Sequence, residues 1–137
     1  MSGLDNYNKE RQLDKREREL EAREELLEAK TEILEEDENW LSLREDFLTD
    51  YEEFLNDDED EKENSIKNLM FYKDMAKIDI SQLEHDSKMF RKHAEFVKEN
   101  KQLRLEYEFL ADTQESKIGI REALISRIEL LEKRQNE

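Results

Sequence analysis

The fold of this chain is decided by residues 13–55, which read LDKRERELEAREELLEAKTEILEEDENWLSLREDFLTDYEEFL. Seven leucines, here called the leucine stripe, recur at intervals of seven residues: Leu13, Leu20, Leu27, Leu34, Leu41, Leu48 and Leu55. A straight α-helix would rotate such a set by about 20° per heptad. A stripe kept this strictly is useful when the helix supercoils around another helix. The spacing therefore predicts a long helix that packs along the leucine stripe, against a partner chain in preference to its own chain.

The columns beside the leucine stripe differ in character. Aromatic residues precede the last leucines, and we predict that Trp40, Phe47 and Phe54 pack together with them. The residues three positions after the first six leucines are mostly basic, and they are Arg16, Arg23, Lys30, Asp37, Arg44 and Tyr51. The residues three positions before are mostly acidic, and they are Glu10, Glu17, Glu24, Thr31, Glu38, Glu45 and Glu52. The pattern is therefore not that of a clean two-stranded leucine zipper.

The negative charge of the chain is concentrated in one stretch. The formal net charge is -16 over 137 residues, with 23 Lys and Arg against 39 Asp and Glu. Residues 32–64 hold 16 acidic and 2 basic residues, and the stretch ends in a nearly unbroken run from Asp57 to Glu63. Like charges repel along a helix, and Asp and Asn favour caps and turns. We therefore predict a hinge at 57–65, with Asn64 or Ser65 capping the next helix.

The second half of the chain carries a further heptad pattern. Its predicted helix-packing residues are Ile66, Leu69, Ile80, Leu83, Phe90 and Val97. The phase slips by one residue near Asn100, and apolar residues continue on a shifted face. A polar gap follows, in which Asp112 and Glu115 have capping-box spacing. The last apolar residues indicate a short terminal helix.

These patterns predict an all-α fold of long coiled-coil-type helices. The expected segments are a polar tail over 1–8, a long heptad helix over 9–56, an acidic hinge over 57–65, a second long helix over 66–112 and a short C-terminal helix over 113–137. The two long helices can fold back as an antiparallel hairpin, or remain extended and pair with other copies. The sequence leaves that choice open, together with oligomer number and strand orientation.

Composition excludes several classes of site. The chain has 2 Gly, no Pro and no Cys, which excludes a glycine-rich phosphate loop, a disulfide framework and a thiolate metal site. His85 and His93 lie eight positions apart rather than the four that a helical zinc motif prefers. We therefore expect no metal, no cofactor and no catalytic residues, and hence no enzymatic activity. No apolar segment is long enough to span a membrane.

Two functional hypotheses remain. The preferred one is a structural or assembly protein that self-associates, or docks onto proteins of a larger complex, through helical packing; a virion component, an assembly scaffold or a coiled-coil adaptor has this build. The alternative is an acidic inhibitor that imitates nucleic acid and binds a basic groove. Its contact residues would be Asp57, Asp58, Glu59, Asp60 and Glu61. Direct nucleic-acid binding is disfavoured by the negative charge. We expect a cytoplasmic location, or one within a virus particle assembled there.

Overall fold

The structure, a computed structural model, describes residues 3–136, without the side chains of residues 3–4, 59–60 and 135–136. All three elements of this part of the chain are helices: α1 (Gly3–Asn56), α2 (Glu59–Phe96) and α3 (Lys101–Asn136). The all-α prediction is confirmed. Each helix runs antiparallel to the one before it, so α2 and α3 form a closely packed hairpin and α1 lies along that hairpin.

The turn between α1 and α2 covers only residues 57–58, because Asp58 caps the start of α2. The Asp58 carboxylate accepts a hydrogen bond from the Glu61 backbone N–H at 3.0 Å, as an N-cap residue does. Ser65, which we predicted as a possible cap, instead donates its hydroxyl hydrogen to the Asp57 carboxylate from inside α2. The break in the helix therefore covers residues 57–58, and not the whole predicted hinge over 57–65.

The turn between α2 and α3 lies at residues 97–100, where the sequence shows its phase slip. The Asn100 side chain accepts a hydrogen bond from the Leu103 backbone N–H at 3.2 Å and so caps α3. Here the structure differs from the predicted second helix over 66–112, because a phase slip fits a chain reversal as well as a continuous helix with a shifted apolar face. The last helix is therefore 36 residues long rather than short.

The helix bounds differ from the prediction at two further places. Residues 3–8, predicted as part of a polar tail, belong to α1, while residues 1–2 lie outside the described residues. Asp112 and Glu115, predicted as a capping box, lie inside α3 and bind Arg91 of α2 instead. The Arg91 guanidinium group donates hydrogen bonds to both carboxylates, which therefore bind α2 and do not cap a helix.

The apolar core has two parts, one at each end of the bundle. The part near the α1–α2 turn contains Trp40, Phe47, Phe54, Ile66, Leu69, Ala76, Leu124, Ile128 and Leu131. The part near the α2–α3 turn contains Ala22, Leu26, Ala94, Val97, Leu103, Tyr107 and Leu110. Between these clusters lie the buried polar side chains of Ser87, Gln114 and Arg121, which we call the polar layer.

The start of α1 projects beyond the rest of the bundle. The helix has 54 residues and is about 80 Å long at 1.5 Å per residue. The α2–α3 turn lies beside Lys15, Arg18 and Glu19, which line a cleft together with residues 96–100. Residues 5–14 are all exposed. This segment therefore makes no core contact within the described chain.

Candidate interaction surface

The leucine stripe lies on the outside of the bundle. All seven leucines are exposed, with between 45% and 66% of each residue accessible to solvent. No other helix of the described chain covers them. The sequence predicts that these leucines are packing residues, and within a single chain about half of each leucine stays exposed.

The aromatic column beside the stripe is buried instead. Trp40, Phe47 and Phe54 are each less than 10% exposed and form the core near the α1–α2 turn. These residues precede the leucines by one position, which rotates them by about 100° around the helix axis. The two columns therefore serve different faces: the aromatic residues hold α1 to α2 and α3, and the leucines point away.

An open apolar groove adjoins the leucine stripe on the side of α3. Leu34 borders it on α1, and the exposed side chains of Leu105 and Phe109 border it on α3. The volume of this groove is about 640 Å³. Further along, Leu48 of α1 and the exposed Ile120 of α3 border a second groove of about 400 Å³. The stripe is thus the edge of a broader apolar surface shared by α1 and α3.

The helix-packing residues predicted in the second half of the chain face the inside of the bundle. Ile66, Leu69, Leu83 and Val97 are buried. Ile80 and Phe90 are half-buried, and Phe90 packs against the core near the α2–α3 turn. This second stripe is occupied by contacts within the chain, unlike the leucine stripe.

The polar layer joins all three helices at the middle of the bundle. The Gln114 side chain of α3 is fully buried, and its Nε2 lies 3.4 Å from Glu36 Oε2 on α1 and 3.5 Å from Asp86 Oδ2 on α2. These are long hydrogen bonds, and Gln114 Oε1 has no partner in the described structure. Burial and the nearby Asp86 carboxylate raise the pKa of Glu36.

Arg121 is the basic member of the polar layer, and Lys117 lies one turn before it on α3. The Arg121 guanidinium group is centred 4.0 Å from the middle of the Trp40 ring, and its Nε lies 3.4 Å from Asp79 Oδ2. Burial lowers the pKa of Arg121. Lys117 Nζ lies 2.5 Å from Asp37 Oδ1. Nothing in the local sequence signals that Arg121 stacks on a tryptophan 81 positions away.

Two tyrosine hydroxyl groups attach α1 to the hairpin. Tyr107 of α3 donates a buried hydrogen bond to the Ala22 carbonyl oxygen at 2.8 Å. Burial, followed by the nearby Glu25 carboxylate, raises the pKa of Tyr107 to about 12, so its hydroxyl stays protonated as the bond requires. Tyr72 of α2 donates to the Asp50 carboxylate. These contacts attach α1 to α3 near the α2–α3 turn and to α2 near the α1–α2 turn.

The acidic residues that the alternative hypothesis names lie at the α1–α2 turn. Asp58 caps α2 and Asp57 accepts the Ser65 hydrogen bond, so both side chains have partners within the chain. Glu61 is exposed. The side chains of Glu59 and Asp60 lie outside the described residues.

The two histidines lie on the acidic side of the bundle, between α1 and α2. His93 Nδ1 is 2.9 Å from Glu25 Oε2, and the imidazole ring packs on Tyr107 with the ring centres 5.2 Å apart. His85 is exposed, and together with His93 it lines a groove between α1 and α2. Over the part of the chain that the structure describes, no three His, Asp or Glu side chains are arranged to hold a metal ion.

No relative of this chain is found among known proteins. Searches of protein-family models, of curated proteins and of solved structures find nothing that matches the chain. None of the helices in the described residues has a stretch apolar and long enough to cross a membrane.

Proposed function

We propose that this protein is a non-enzymatic structural or assembly component that associates with copies of itself, or with the helices of a larger complex, through the leucine stripe. The observation that carries the proposal is the exposure of all seven leucines on a chain whose second-half heptad residues are buried or half-buried. Seven leucines on one helix face exceed what scattered surface residues account for. A row of exposed leucines at heptad spacing is typical of a helix-packing site.

The free energy available from this surface is sufficient for association. Covering a leucine that is about half exposed stabilises a complex by about 1 kcal/mol. Two stripes that cover one another would gain on the order of 10 kcal/mol, which is comparable with the free-energy cost of bringing two chains together. The grooves beside Leu34 and Leu48 add further apolar area. A stable pair is therefore within reach without any contribution from charge.

The test is the absolute mass in solution, measured by light scattering after size exclusion at low and high salt. We expect a multiple of 16.7 kDa that persists at high salt, because apolar contacts are not screened. Replacing Leu34→Glu together with Leu41→Glu should give a monomer. Both side chains are exposed, so the variant should keep the helical circular dichroism of the parent.

A matched control separates the stripe from a general effect of added charge. Phe71 and Ile78 are exposed, seven positions apart on α2, and away from the stripe. Phe71→Glu together with Ile78→Glu adds the same charge and should leave the mass unchanged. A parent chain that is monomeric, or a Leu34→Glu, Leu41→Glu variant of unchanged mass, would overturn self-association through the stripe.

The acidic alternative has less support from the structure. Asp57 and Asp58 take part in the turn and in the cap of α2, so these two carboxylates already have a structural role within the chain. The hypothesis predicts binding to a basic, nucleic-acid-handling protein that salt weakens strongly. Neutralising residues 57–61 with Asn and Gln should abolish such binding, and a pull-down that is indifferent to the change would remove this alternative.

A further inference from the structure

The two flanks of the leucine stripe carry opposite charges and are both exposed. Positions three residues before the leucines are acidic at six places: Glu10, Glu17, Glu24, Glu38, Glu45 and Glu52. Positions three residues after them are basic at four places: Arg16, Arg23, Lys30 and Arg44. These positions lie about 50–60° to either side of the stripe. All ten side chains are exposed.

The basic flank is nearly unpaired within the chain. Among the described residues, none lies within salt-bridge distance of Arg16, Arg23 or Arg44. Lys30 has one long contact, with its Nζ 3.9 Å from Glu106 Oε1. The charges of this flank are therefore available to an external partner.

We infer that the stripe binds a second copy of this chain in parallel orientation and in register. The inference rests on the proposed self-association and specifies its geometry. When two identical helices pack in parallel around a two-fold axis along their length, the left flank of one faces the right flank of the other. The acidic flank of each copy then meets the basic flank of its partner. In an antiparallel pair, like flanks meet, so acidic residues face acidic residues and basic residues face basic ones.

The grooves between α1 and α3 fit the same arrangement. The basic flank lies on the side of the stripe that faces α3, as the contact between Lys30 and Glu106 shows. In the parallel pair, α1 of the second copy therefore lies over the groove edged by Leu34 and Phe109. Arg127 of α3, which packs over the Tyr51 ring at 5.7 Å, adds basic charge at the other end of this surface. The acidic flank of the second copy thus meets basic side chains of α1 and α3, except near Asp37, whose carboxylate is paired with Lys117.

Single-cysteine trapping tests the orientation, and the chain suits it because it contains no cysteine. Leu13→Cys and Leu48→Cys are prepared as separate full-length variants, at stripe positions about 52 Å apart along the helix. Arg11→Cys serves as the control, since position 11 is exposed on the far side of the helix from the stripe. Each variant is oxidised mildly at a concentration where it associates, and dimers are counted on a non-reducing gel.

The parallel, in-register pair brings each cysteine against its own counterpart. We expect Leu13→Cys and Leu48→Cys both to form disulfide-linked dimers at least about tenfold faster than Arg11→Cys, because the helix pair holds the thiols at a high effective concentration. An antiparallel pair allows at most one of the two positions to meet its own copy, within the 4–7 Å between Cα atoms that a disulfide needs. Trapping at one position only, or at neither, would overturn the inference.

Light scattering on the reduced cysteine variants separates the two proposals. If a variant is multimeric but disulfides form at only one of the two positions, or at neither, self-association stands and the parallel geometry is wrong. A monomer removes both. A multimer that traps at Leu13→Cys and Leu48→Cys, but not at Arg11→Cys, supports both.

Discussion

Glu36 is the acidic residue for which burial matters most in the polar layer. Its carboxylate lies beside Asp86 and accepts only a long hydrogen bond from Gln114, so ionisation is costly there and its pKa is raised. A raised pKa means that the folded chain holds this proton more tightly than the unfolded chain does. The stability that Glu36 contributes is therefore present below its ordinary pKa of 4.5 and is lost as the pH rises through the raised value.

Glu36→Gln should accordingly stabilise the fold at about pH 7, where the wild-type carboxylate is ionised, and have little effect at about pH 4. The gain is expected to be a few tenths of a kcal/mol, because Glu36 is only half-buried and solvent screens its charge. Thermal unfolding followed by circular dichroism measures both values. Glu35→Gln, on an exposed neighbour, is the control. A loss of stability at neutral pH, or an effect independent of pH, would contradict this reading of the polar layer.

The hydroxyl group of Tyr107 gives a second prediction at this scale. Tyr107→Phe removes the buried hydrogen bond to the Ala22 carbonyl oxygen but keeps the aromatic ring in the core. We expect the free energy of unfolding to fall by about 1 kcal/mol. Urea unfolding measures it, with Tyr7→Phe as the control because Tyr7 is exposed. Equal stability of the two variants would show that the Ala22 contact does not stabilise the docked position of α1.

At the scale of elements, the acidic run is an advantage to α2 rather than an obstacle. The backbone N–H groups at a helix N-terminus carry partial positive charge, so acidic residues in the first turn stabilise it by roughly 0.3–1 kcal/mol each. Because Asp58 caps the helix, α2 begins directly in the acidic run. The prediction of a hinge over 57–65 considers the repulsion between neighbouring acidic residues but does not include this attraction to the helix N-terminus.

Asp58→Ala tests the role of the cap. The substitution removes the acceptor of the Glu61 N–H and should cost about 1 kcal/mol of stability. Urea unfolding is again the measurement. Glu63→Ala is the control, because it removes the same charge from an exposed position that lies within α2 and does not cap it. If both variants unfolded at the same urea concentration, the turn would depend on something other than this cap.

At the scale of the whole molecule, α1 is unevenly supported. Residues 5–14 project beyond the α2–α3 turn, while the later part of α1 is held by the aromatic column and the polar layer. An isolated helical segment of about ten residues is marginally stable in water. A second copy packed along the leucine stripe would support it, because Leu13 lies in this segment.

Hydrogen exchange should therefore report association at the end of α1. We expect amides of residues 5–14 to exchange faster than those of the core in the Leu34→Glu, Leu41→Glu variant, and to be protected in the associated parent chain. Mass spectrometry of peptides covering this segment measures the difference, and peptides from the end of α1 near residue 54 are the internal reference. Equal exchange of residues 5–14 in both proteins would mean that any association does not include the projecting segment.

Much of the fold follows from the sequence alone. Heptad spacing, the absence of proline and the density of charged residues predict long helices, because these properties act within a few turns of one chain. Spacing also places the second-half apolar residues on one helix face, and such a face turns toward the core whichever helix covers it. Spacing does not predict the position of the last chain reversal, because a phase slip fits both a continuous helix and a turn at residues 97–100.

Only the tertiary structure separates the two apolar columns of α1. The sequence places Trp40 next to Leu41 and Phe47 next to Leu48, and spacing alone assigns both columns to one seam. Packing of three helices leaves room for one column in the core, and the larger aromatic side chains fill it while the leucines stay exposed. The polar layer was equally hidden, because Gln114 and Arg121 meet residues far away in the chain. Local patterns determine where helices form, whereas burial depends on which faces long-range packing brings together.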